Sequence, residues 1–127
     1  MLFELNQYSD IAFLILRLAI AAIFIYHALP KLKGAKIMSQ EMGMPAGMIF
    51  MLGGIELLSS AGLALGVYTQ LASALLAFVM IGAIYFKMVK WHVPFGAMDK
   101  TGWEFDLILL AASIFILVNG GGAIGIQ

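Results

Sequence analysis

Ala46-Gly-Met-Ile-Phe-Met-Leu-Gly-Gly-Ile-Glu56-Leu-Leu-Ser-Ser-Ala-Gly-Leu-Ala-Leu-Gly66 holds a single charge. Glu56 is also the only charge between Met42 and Phe86. The run is too long and too apolar for an element of a soluble core, and it has the roughly 20 residues that a membrane-spanning helix needs. Glu56 then lies near the middle of a bilayer, where an acid costs roughly 2.5–3.5 kcal/mol on insertion scales. An acid at that depth faces protein or water, has a partner, and marks a functional path by default.

The rest of the chain agrees. Of its 127 residues, 63% are hydrophobic and 11% charged, and the mean hydropathy is +1.03. These values describe an integral membrane protein. The length suits one domain, residues 1–127. A formal net charge of zero gives no reason to expect nucleic acid. The absence of cysteine excludes disulfides, thiolate metal sites and a CxxC redox motif. Met1 to Asp10 has no Lys or Arg and does not read as a cleavable signal.

Four apolar segments follow one another: about 10–29, 46–66, 69–89 and 103–118. Ser9-Asp10 is placed to cap the first, and Pro30 to stop it. Backbone polar groups must be satisfied inside lipid, so the expectation is an all-α, four-helix transmembrane bundle. Lys31, Lys33 and Lys36 crowd the first long connection, and Lys87, Lys90 and Lys100 the second. The positive-inside rule puts both connections in the cytoplasm and both termini outside. His27-Ala-Leu-Pro30 and His92-Val-Pro94 occupy like places in the two halves, a parallel too weak to be read as a repeat.

Counted from the outer helix ends, Arg17 and Glu56 differ in depth by about 5 Å, so an Arg17–Glu56 ion pair is expected. That pair is either packing architecture or part of a ligand site. Gly53, Ser59 and Ser60 share the face of Glu56 and make room for a close helix or a small ligand. Gly62 and Gly66 form a GxxxG, read as a packing seam inside the bundle. At the cytoplasmic level, a cluster of His27 and Glu104, joined at its edge by Asp106 and with Tyr26 beside His27, can move protons or grip a polar head group. Lys31, Lys87 and Asp106 read more simply as interfacial charges. No metal site is expected, because close-spaced ligand pairs are lacking. Bis-histidine haem fits poorly, since His92 sits in a loop. Gly120-Gly-Gly-Ala-Ile-Gly125 matches GxGxxG but follows no strand, and reads as a loose terminal tail.

Several motifs, in order, resemble one family. Arg17 through His27 to Lys31 is similar to the opening helix of the DoxX family, small four-helix membrane proteins that include the DoxD-type subunit of thiosulfate:quinone oxidoreductase. Gly43-Met-Pro45, Gly53-Gly-Ile-Glu56, Gly66-Val-Tyr-Thr69 and Gly102-Trp-Glu104 resemble its later landmarks. Ala28, Ser59-Ser60 and the proline-free tail depart from its pattern. The resemblance implies a redox-associated, multi-pass inner-membrane protein whose polar interior is Arg17, His27, Lys31, Glu56 and Glu104. On that basis the expectation is a subunit that binds a quinone-like molecule in a cavity with Phe24, Tyr26 and Met walls. His27 or Arg17 would donate to a carbonyl, and Glu56 or Glu104 would relay protons. Electrons would come from a partner protein or a bound cofactor, because the chain has no redox centre of its own. A scaffold or assembly subunit and a small transporter acting as a homo-oligomer are the alternatives.

Overall fold

The computed structural model describes residues 2–98 and 100–125; the expected sidedness of the two chain ends concerns residues partly outside this range. A short 3-10 turn, Leu2–Tyr8, leads into α1 (Ser9–Lys33). Then come α2 (Ala35–Met42), α3 (Ala46–Leu65), α4 (Thr69–Tyr85) and α5 (Trp103–Asn119). No strand occurs among the described residues. Three stretches are long and apolar enough to cross a membrane: Leu5–Lys33, Ala46–Leu65 and Thr69–Lys90. With 17 residues, α5 is shorter than these. The protein is an all-helical, multi-pass membrane protein.

α1 packs chiefly on α3, α3 on α4, and α4 on α5. α1 meets α5 through ring contacts at both ends, Phe13 with Phe115 and His27 with Phe105. The apolar core between them includes Ile20, Phe24, Leu63, Leu76, Leu109 and Ile116. The lipid-directed faces stay apolar, so burial rather than polarity distinguishes inside from outside.

Pro30 does not stop α1, which runs one further turn to Lys33. A proline near a helix end removes only one hydrogen bond, and packing on α3 holds the extra turn. The device is Gly53: a Cβ there would lie 2.9 Å from Lys31 Cβ and 3.2 Å from the Ala28 carbonyl oxygen. Ser9-Asp10 does not cap α1 either, because no side chain caps that helix. The expected loop after Pro30 is largely α2, closed by Gly43 in the left-handed region at φ 72°. The turn between α3 and α4 is tight. Gly66 takes φ 75° and Tyr68 φ 49°, and a Cβ on Gly62 would lie 2.9 Å from the Val67 carbonyl oxygen and 3.6 Å from Ala72 Cβ. Gly62 thus serves a seam within the chain. Beyond Tyr85 the helix widens by one residue per turn, with Trp91 N–H donating to Phe86 O at 2.8 Å.

Candidate functional site

Two polar centres occupy opposite ends of the bundle. At the first, Arg17 is 1% exposed. Its Nε donates to Leu63 O at 2.8 Å, and its Nη1 to Gly121 O at 2.9 Å and Ile124 O at 2.5 Å. Ala123 N–H donates to Asp10 Oδ1 at 2.9 Å. The glycine-rich tail is therefore folded back against α1 and α3, and the expectation of a loose tail is overturned. The close approach requires the glycines: a Cβ on Gly121 would lie 2.8 Å from Thr69 Cγ2, and one on Gly66 2.6 Å from Gly125 Cα. The carbonyl dipoles of Leu63, Gly121 and Ile124 replace the water that the guanidinium loses on burial.

Glu56, also 1% exposed, is not the partner of Arg17. Its Oε2 lies 2.5 Å from Lys31 Nζ. The expected Arg17–Glu56 pair fails for a geometric reason. Side chains lean toward the N-terminus of their own helix. α1 and α3 run antiparallel, so Arg17 leans toward one end of the bundle and Glu56 toward the other. Arg17 instead reaches Leu63, seven residues from Glu56 and about 10 Å along α3. Lys31, at the far end of α1, leans back toward Glu56.

Glu56 and Lys31 open onto the second centre, a cavity of about 360 Å³ between the helix ends. α1 contributes Phe24, His27 and Lys31; α3 contributes Ile49, Leu52 and Glu56. α4 and its wide turn supply Val79, Ala83, Phe86, Lys87 and Trp91, and α5 supplies Phe105, Asp106 and Leu109. Met38 and Met42 of α2 lie over it, with Met44 and Met48 beside them. The lid is fastened: Trp91 Nε1 donates to Met42 O at 3.1 Å, and Ser39 Oγ donates to Met44 O. The lining is mostly apolar and polarizable, which suits a flat or irregular ligand.

A second ion pair faces the same space. Lys87 Nζ lies 2.6 Å from Asp106 Oδ2, too far off line for a hydrogen bond. Lys87 also donates to Thr101 Oγ1 at 3.0 Å and sits 5.9 Å from the Phe105 ring centre. His27 stands half-buried on the wall, its ring 5.4 Å from that of Phe105.

Of the expected site residues, His27 and Glu56 line the cavity. Arg17 lies at the other end. Tyr26 is 75% exposed, and Glu104 points outward beside Gly96, so neither forms part of the cavity wall. Lys31, Lys87 and Asp106, read from sequence as interfacial charges, line the cavity instead. Helical phase carries the missed signal. Asp106 shares its face with buried Leu109, Ser113 and Ile116, whereas Glu104 is two residues off it. Lys31 follows His27 by one turn, i to i+4. Among the described residues no three His, Cys, Asp or Glu side chains gather as a metal-ligand set.

The model of one protein family, DoxX, matches residues 12–91, from the start of α1 to the end of the wide turn. The chain belongs to the DoxX family. A protein of Bacillus subtilis (strain 168) named "Putative oxidoreductase CatD" is 33% identical over 119 residues, covering 91% of this chain and 84% of that protein. No solved structure matches this DoxX chain. The family match spans every cavity residue contributed by α1 to α4, including Lys31, Glu56 and Lys87.

Proposed function

We propose that this DoxX protein is a redox-associated subunit of the inner (cytoplasmic) membrane that binds a quinone-like ring in the cavity under α2. One observation carries the reading: a mostly apolar cavity of about 360 Å³ whose polar lining combines His27 with two lysine–carboxylate pairs. Aromatic and methionine side chains match the faces of a ring. Lys31, Lys87 and His27 are hydrogen-bond donors for its carbonyl oxygens. A quinone supplies two-electron chemistry when bound. The carboxylates of Glu56 and Asp106 hold their lysines in place and can take or return protons at the ring oxygens. Electrons enter from a partner protein or from a cofactor it carries, since the chain has no cysteine and no metal-ligand set among the described residues. The oxidoreductase name of the Bacillus relative supports the same class.

In this reading α5 is the fourth span. It is antiparallel to α4, packs along it, and carries no charge after Asp106. Lys31, Lys33, Lys36, Lys87, Lys90 and Lys100 all fall at the cavity end of the bundle, and this excess of positive charge supports a cytoplasmic cavity end with both termini outside.

The test is calorimetric titration of the protein in lipid nanodiscs with a tail-less benzoquinone. Saturable binding is expected, weakened about tenfold or more in Glu56→Gln and in His27→Ala, a loss of about 1.4 kcal/mol. Absence of saturable binding, or binding that neither variant alters, overturns the reading.

A further inference from the structure

α3 and α4 touch near their turn, and toward the other end both carry exposed residues that line the cavity. Near their turn, Gly62 lies against Ala72. Helical spacing puts Met48 on the same side of α3 as Gly62, two repeats of seven away. On α4, Phe78 and Gly82 flank the stripe that continues from Ala72 through Val79 to Phe86. All these positions at the far end line the cavity. Yet Phe78 is 78% exposed, Met48 is 41% exposed, and a Cβ on Gly82 would meet nothing within 4 Å. The cavity therefore reaches the outer surface of two membrane-spanning helices, where the surroundings are lipid. Its volume, about 360 Å³, is near the lower end of small-molecule sites. It holds a ring but not a ring with a long hydrocarbon chain.

We infer that the cavity opens sideways into the bilayer between α3 and α4, and that it takes a chain-bearing amphiphile whose tail leaves past Gly82. The ring sits among the ion pairs, and the tail lies along Phe78 and Met48 in lipid. The inference rests on the ring-binding reading above and adds the ligand's source and its second half. Lipid-soluble quinones with isoprenoid chains have this chemistry. Gly82 is then a specificity residue: its missing side chain is the space through which the tail passes.

The experiment compares 2,3-dimethoxy-5-methyl-1,4-benzoquinone with its decyl-tailed counterpart in nanodiscs, using wild type, Gly82→Trp and Gly82→Leu. Gly54→Trp is the control, since a Cβ at Gly54 also meets nothing within 4 Å and Gly54 does not line the cavity. Both Gly82 variants are expected to weaken the tailed compound about tenfold or more and the tail-less one less than about threefold, with Trp the stronger. Gly54→Trp is expected to change neither. Retained tail-less binding also shows that the variants fold. Equal effects of Gly82→Trp on both compounds, or no effect on either, overturn the sideways opening while leaving ring binding intact. Failure of wild type to bind either compound overturns ring binding and the inference together.

Discussion

Lys31 Nζ and Glu56 Oε2 meet at 2.5 Å, joining the end of α1 to the middle of α3 at the cavity wall. The contact exists because Gly53, one turn before Glu56, lets the two helix backbones close on each other. The pair is both architecture and lining: it locks α1 to α3 and presents a donor and an acceptor to the cavity. Removing one partner of a buried pair leaves an uncompensated charge, which costs about 3–5 kcal/mol. Lys31→Met is therefore expected to lower stability by that amount in steric-trapping or detergent unfolding measurements. Adding Glu56→Gln to Lys31→Met should restore most of it.

Arg17 and Glu56 belong to separate networks. Their single-substitution effects should add within about 0.5 kcal/mol in a double-mutant cycle of Arg17→Met and Glu56→Gln. A coupling energy of about 1 kcal/mol or more would mean that the two share partners after all.

Arg17 holds the C-terminal tail through a fork that no lysine can reproduce, because it reaches Leu63, Gly121 and Ile124 with two different nitrogens. Arg17→Lys is expected to release residues 120–125. Hydrogen exchange should rise there by about tenfold or more, while α4 and α5 stay protected. Unchanged protection of the tail would show that Asp10 and the glycine contacts suffice.

Gly53→Ala puts a methyl group into space already filled by Lys31 Cβ and the Ala28 carbonyl oxygen. The expected loss is about 1–3 kcal/mol of stability. It should come with weaker ligand binding, because Lys31 and Glu56 are pried apart. Gly54→Ala, which meets nothing within 4 Å, is expected to be silent in both measurements.

Much of this was legible in the sequence, for physical reasons that also explain the gaps. Hydropathy alone marked the long apolar segments, because lipid leaves the backbone no alternative to helices. The boundaries at Pro45 and Gly66 were readable from their restricted or left-handed backbones. The extension of α1 beyond Pro30 was not, since it depends on packing against Gly53. Glu56 announced itself as an isolated charge, but its partner did not. Depth along the membrane normal points to Arg17, whereas the lean of each side chain toward its own helix N-terminus brings Lys31 to Glu56. The tail read as loose because glycines carry no hydropathy signal; their purpose here is close backbone approach to Gly66 and Thr69. Asp106 is distinguished from Glu104 by helical phase alone: it shares its face of α5 with the apolar Leu109 and Ile116 and with Ser113. Met walls are expected from the sequence, but that Met38 and Met42 sit on a helix fastened over the cavity by Trp91 is not, because this arises only when α2 folds across it.

Trp91 offers the most direct measurement of the central claim, that the cavity under α2 seats a quinone-like ring. It lines the cavity, whereas the chain's other tryptophan, Trp103, does not. In a Trp103→Phe protein in nanodiscs, a tail-less benzoquinone should quench Trp91 fluorescence along a saturable curve, and Glu56→Gln should shift its midpoint to about tenfold higher concentration. Quenching that rises linearly without saturation, identical in both proteins, would contradict the claim.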